Sequence, residues 1–209
     1  MLRAGVSVGT VSNVLNRQRV QGVLITPTAE LSVHVEALRS RGTPVVLLDR
    51  RATGPDQCAV AVDDVLGGRL AADHLLERGH RRIAFIGGSS GPPQVQERHA
   101  GVAAAVLEGT GSADALTVLS PETLTVAGGR EAASQVIGMP AGRRPTAAAV
   151  VPLTSVRKPR QELGRRAAEL LLDEAANGAE HVHEQPVFEP VLVVRESSMV
   201  RRHRRPVAS

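Results

Sequence analysis

Apolar positions along the chain fall into two periods, and their alternation predicts the architecture. GVLIT (Gly22–Thr26) is a short β-branched run of strand type. Leu31, Val35 and Leu38 then recur at helical spacing. Thr43-Pro44 opens a second strand, Val45 to Asp49, and AVAVDD (Ala59–Asp64) reads as a third. Asp63 or Asp64 stands where a carboxylate can cap the helix that runs to Arg78, and Gly79 stops it. RIAFIGG (Arg82–Gly88) predicts a strand, Val95 to Leu107 a helix, Leu116 to Leu119 a strand, and Leu124 to Ile137 a helix. Leu163, Ala167, Leu170 and Leu171 mark an amphipathic helix, and Val187 to Ser197 reads as a final strand pair. Strands alternating with helices predict a parallel α/β sheet with helices on both faces. Loops rich in Gly, Pro or Ser are expected at Ala52–Gln57, Ser89–Pro93, Gly109–Ala113 and Met139–Pro145. There is no internal repeat.

The first residues carry a different signal. Ser7 can cap a helix, and Gly5 permits a tight turn before it. On a helical wheel Val8, Val11, Val14 and Leu15 gather on one side. Gly9, Asn13 and Asn16 lie opposite, flanked by Thr10 and Ser12. Such a helix packs on one face and presents small, amide and hydroxyl side chains on the other, which suits a recognition helix as well as an ordinary surface helix. Asn16 is followed at once by RQRVQGVLI, with no linker before the first strand.

Composition narrows the alternatives. With 209 residues the chain can bury one large core or two small ones. No apolar run approaches the roughly 20 residues of a membrane helix, so no membrane partner is expected. No signal peptide is recognisable, and Cys58 is the only cysteine, which fits a reducing cytoplasm. Arg201, Arg202, Arg204 and Arg205 supply a charge as large as the net +4, and read as a solvated tail. Phe85 and Phe188 are the only aromatic residues besides histidine, which argues against stacking of single-stranded bases.

Two chemical signals are weighed and set aside. Gly87-Gly88-Ser89-Ser90-Gly91 fits G-x-S-x-G after a strand, the start of a hydrolase elbow. Pro92-Pro93 keeps the chain extended where the elbow needs a helix, so a flexible loop is the better reading, and the loop lacks dinucleotide spacing. His181-x-His183-Glu184 offers an incomplete zinc shell and reads as a solvated turn. No catalytic residue, metal or cofactor is expected.

AGVSVGTVSNVLN (Ala4–Asn16) closely resembles the DNA-reading segment of the lactose-repressor (LacI/GalR) family of bacterial regulators. The resemblance extends through RVQGVLITP, PVVLLDRR, VDDVLGGRLAADHLLERGHRRIAFIGG, ERHAG, PLTSVRKP, LGRRAAELLL and LVVRESS, in the family's order. It implies a core like periplasmic sugar-binding proteins, with two α/β subdomains closing on a small effector. By the same resemblance Val8, Gly9 and Asn13 contact bases, while Ser7, Thr10 and Ser12 contact the DNA backbone. Asp49 and Arg98 are implied as effector ligands. The strand-end position of Asp49 and the planar donors of Arg98 suit that role, although a cap or surface ion pair would also fit.

Set against the family pattern, the first headpiece helix is reduced to Met1–Ala4, and the third helix and hinge are missing after Asn16. The opening strand and helix of the core are missing too, which is expected to leave a sheet edge unpaired. PTAAAVVPLTSV (Pro145–Val156) joins two places that the family holds apart. The expected organisation is a partial helix-turn-helix headpiece over residues 1–18, an incomplete effector-binding α/β core over 19–198, and a basic disordered tail over 199–209. The expected function is a DNA-binding transcription regulator, a repressor, responding to a sugar-like effector and binding operator DNA in the major groove as a homodimer. The alternative is an effector-binding or dimerisation remnant without DNA-binding activity. A small α/β enzyme ranks last.

Overall fold

The computed structural model describes residues 21–26, 32–87, 91–139 and 153–198. The recognition segment, the Ser89 loop centre, Pro145–Pro152 and the basic tail lie outside the described residues. The chain divides into two compact units. The first takes in residues up to Val62 and returns for Pro159–Phe188, while the second takes in Asp63–Lys158 and the segment from Glu189 onward.

In the first unit four strands form one parallel sheet: β1 (Val23–Ile25), β2 (Val45–Leu48), β3 (Ala59–Val62) and β7 (Val187–Phe188), in the order β1-β2-β3-β7. Every residue of β3 is buried, as expected of a parallel strand covered on both faces. The two-residue period divides these strands between two helices. Val45, Leu47 and Ala59 pack with Val35 and Leu38 of α1 (Ser32–Arg39). Val46, Val60 and Val62 face the other way, onto Leu163, Ala167 and Leu170 of α5 (Arg160–Asn177). The spacing 163, 167, 170 is one helical stripe, so the amphipathic pattern and the packing agree. Among the described residues β1 is a sheet edge, and Leu24 is 41% exposed there.

The second unit holds α2 (Asp64–Glu77), β4 (Ile83–Ile86), α3 (Pro93–Thr110), β5 (Leu116–Leu119), α4 (Val126–Gly138), β6 (Ser155–Arg157) and β8 (Val191–Val193). Both termini of α2 follow from local sequence. Asp63 Oδ1 accepts the Leu66 N–H at 2.8 Å at the N-cap. At the other end Gly79 takes φ +87°, donating to Leu76 O, while His80 donates to Leu75 O. That pair of bonds is a Schellman motif, and the positive φ is why glycine is placed there.

Helix α3 begins at Pro93 itself, earlier than the apolar periodicity predicts, because proline at the first helical position costs no hydrogen bond. Strands β4 and β5 pair in parallel, with Ile83 opposite Leu116. Ile83 joins Ala72, Leu76, Val102, Ala105 and Val106 in the core of this unit. The expected final strand pair is not one. Strand β7 pairs with β3 in the first unit, whereas β8 pairs antiparallel with β6 in the second. Pro190 interrupts the run between them, lacking the N–H that a continuous ladder needs.

Candidate functional site

Asp49 follows β2 directly, at the carboxyl end of a parallel strand, where open α/β sheets bind ligands. Its N–H still donates to Val60 O at 2.8 Å, yet its φ is +59°. Among the described residues it is the only non-glycine with positive φ. The left-handed conformation costs an L-residue on the order of 1 kcal/mol, and Asp tolerates it better than most. Beside Asp49, Nη1 of Arg50 is buried with no hydrogen-bond partner among the described residues.

Arg98 lies in the second turn of α3 and is placed by backbone as well as side-chain contacts. A Cβ on Gly68 of α2 would stand 2.1 Å from Arg98 O, and one on Gly101 would stand 2.0 Å from Val65 O. The two glycines therefore allow α2 and α3 to touch backbone to backbone. The Arg98 Nε donates to Asp64 Oδ1 at 2.7 Å, and Lys158 Nζ approaches Asp64 Oδ2 at 3.4 Å. The Asp64 side chain is 5% exposed and that of Arg98 41%. One nearly buried carboxylate at a helix N-terminus thus aligns a half-exposed guanidinium, using one of its five donors. Asp64 and Lys158 were legible only as a cap and as part of a matching block. Their joint role was not legible because Asp64 and Lys158 lie 94 positions apart in sequence.

Asp49 belongs to the first unit and Arg98 to the second. Ser7, Val8, Gly9, Thr10, Ser12 and Asn13 lie outside the described residues. His74 Nε2 and Ser198 Oγ are 2.7 Å apart, and Thr154 Oγ1 is 2.7 Å from the same Ser198 oxygen. Both His74 and Ser198 are buried, and Thr154 also accepts the Arg195 N–H at 2.9 Å. These bonds fasten the segment after β8 to α2 and satisfy one another.

Residues 10–121 match the family described as periplasmic binding proteins and sugar binding domain of LacI family, and residues 135–198 match a periplasmic binding protein-like domain. The transcriptional regulator reg1 of Streptomyces lividans is 30% identical over 218 residues, taking in 86% of this chain. This chain spans 63% of the length of that relative. CelR of Thermobifida fusca is 32% identical over 234 residues, covering 93% of this chain and 68% of CelR. A solved CelR–cellobiose complex superposes with a TM-score of 0.69 at 27% identity, over 91% of this chain and 71% of that one.

The fold and these matches define a periplasmic-binding-protein-like α/β protein. The chain belongs to the LacI family. The named relatives are transcriptional regulators rather than enzymes. No helix among the described residues is long and apolar enough to cross a membrane.

Proposed function

We propose that this chain is a cytoplasmic transcription regulator, a repressor, that binds operator DNA as a homodimer and responds to a small carbohydrate. The observation that carries the reading is family membership together with a carboxylate, Asp49, at the carboxyl end of a parallel strand. Asp49 accepts hydrogen bonds from sugar hydroxyls in this reading, and Arg98 donates to the effector while Asp64 holds its Nε. The CelR–cellobiose complex supports a sugar-class effector.

Val8, Gly9 and Asn13 read bases, with the Asn13 amide suited to paired hydrogen bonds on adenine. Ser7, Thr10 and Ser12 hold phosphates and set register. Residues 1–18 act as the headpiece, 19–198 as the effector core, and the arginines beyond residue 199 as a solvated tail.

Selection from a random duplex library tests this. A regulator enriches a two-fold-symmetric site with salt-dependent affinity, and Asn13→Ala costs about 1–3 kcal/mol of discrimination. Affinity no better than for random sequence would refute DNA reading by this chain. A second reading, effector binding without DNA binding, is favoured by one observation. Only residues 17–22 separate the recognition segment from β1. Sugar binding combined with failed operator selection would establish it.

A further inference from the structure

Four side chains with metal-ligating atoms converge inside the first unit, away from Asp49 and Arg98. Cys58 directly precedes β3 and is fully buried. Its Sγ lies 3.1 Å from His181 Nε2 and 3.5 Å from His183 Nδ1. Glu174, in the last turn of α5, completes a set whose ligand atoms all lie within 4.8 Å of one another. We propose that Cys58, Glu174, His181 and His183 form a structural site for a zinc-class divalent cation.

Backbone pairing produces the convergence. Ala59 N–H donates to Glu184 O and Ala61 N–H to Pro186 O, each at 3.1 Å, which zips the segment after α5 onto β3. His181 and His183, two residues apart on that segment, are thereby brought to Cys58. The His181 and His183 rings sit 5.0 Å apart at 80°.

The donor set is prepared for a cation in three ways. First, Asp173 Oδ2 lies 2.5 Å from His181 Nδ1. A carboxylate there fixes the proton on Nδ1 and turns the Nε2 lone pair toward Cys58, the outer-shell arrangement typical of metal-bound histidine. The His181 side chain is only 1% exposed, so water does not supply that orientation.

Second, Glu174 Oε2 is buried with no hydrogen-bond partner among the described residues. A shielded carboxylate oxygen without a donor is costly, and a cation would satisfy it. Third, the charges balance. A thiolate and a carboxylate carry two negative charges, two neutral imidazoles none, and a divalent ion cancels the sum. Metal coordination deprotonates the thiol.

Geometry and chemistry select the ion. Bond lengths of roughly 2.3 Å to sulfur and 2.0–2.1 Å to nitrogen give a tetrahedral S···N edge of about 3.5 Å. The two observed separations lie close to that value, and adjustments on the order of 1 Å would bring the widest pair in. One thiolate with imidazoles and a carboxylate suits zinc better than magnesium or calcium, which take oxygen. Four protein ligands leave no open position, so the site is structural. It would clasp the start of β3, the end of α5 and the segment leading to β7, linking Cys58 to histidines more than 120 positions away.

The test uses the full chain stripped with a chelator, then titrated with Zn2+ against a chromophoric competitor and, separately, with Co2+. One ion per chain is expected, with a thiolate-to-cobalt charge-transfer band, tetrahedral ligand-field bands and a zinc-dependent rise in melting temperature. Asp173→Asn lowers affinity about 10- to 100-fold. Cys58→Ser abolishes the charge-transfer band, and His183→Gln serves if that variant fails to fold. His80→Gln, outside the cluster, leaves binding unchanged. Binding without a thiolate band, a stoichiometry other than one, or equal affinity in wild type and His183→Gln would overturn the proposal.

Discussion

Gly68→Ala places a methyl group against the backbone that positions Arg98. The added carbon would begin 2.1 Å from Arg98 O, 2.9 Å from the Arg98 carbonyl carbon and 3.0 Å from its Cα. Ordinary contact requires α2 and α3 to separate by more than about 1 Å at this point. The obstacle is main chain, so no side-chain rotation relieves it. Overpacking of this kind costs about 1–3 kcal/mol, and forced separation also loosens the packing of Ala72, Val102 and Ala105.

Alanine's better helix propensity returns about 1 kcal/mol, so the net loss is about 0–2 kcal/mol. Gly129 of α4 has nothing within 4 Å of its Cβ position, which makes Gly129→Ala the matched control in the same unit. That change should stabilise by about 0.5–1 kcal/mol. Urea denaturation of both variants reads the two signs. A Gly68→Ala protein as stable as Gly129→Ala would refute the close helix crossing, and with it the placement of Arg98.

Other perturbations probe separate links. Asp64→Asn removes the nearly buried charge between Arg98 and Lys158 and should cost about 1–3 kcal/mol in thermal or urea unfolding. The figure is below that of a fully buried pair because Arg98 is half-exposed. Leu170→Ala empties a position packed between α5 and the first sheet, and should cost about 2–4 kcal/mol in the same assay. Glu108 is held below the ordinary glutamate range, first by its hydrogen bond from Arg69. Its stabilising contribution is therefore present above the unfolded pKa and lost as pH falls through the lower folded value. NMR titration should show that midpoint rising in Arg69→Gln; an unchanged midpoint would count against the pair.

Much of the fold was legible because its signals are local. The buried β-branched runs at Val45 and Ala59, the Asp63 cap and the Gly79 stop each act within one turn or strand. The strands after Val187 were legible as extended but not as partners. Pairing β7 with β3 and β8 with β6 depends on chain segments more than 30 residues away. The same reason hid the cluster around Cys58. His181 and His183 alone make half a coordination shell, and their partners are supplied by Cys58, just before β3, and by α5. Expected to be solvated, His181 is instead enclosed, because the loop docks on β3 instead of projecting into water. Arg98 was legible through its motif, whereas Asp64 and Lys158, which align it, were not.

Isothermal titration with cellobiose, ribose and a panel of related sugars, on wild type and on Asp49→Asn and Arg98→Ala, tests the effector site most directly. Asn tolerates the left-handed conformation at position 49, so Asp49→Asn should keep its stability to within about 0.5 kcal/mol. Removing one charged hydrogen bond to a sugar hydroxyl is worth about 1.5–3 kcal/mol, which predicts a loss of roughly 10- to 100-fold in affinity. Saturable binding of at least one sugar, weakened to that extent in both variants, is the expected result. Binding that both variants retain at full affinity, or no binding by a cooperatively folded wild type, would contradict the assignment of Asp49 and Arg98 to an effector.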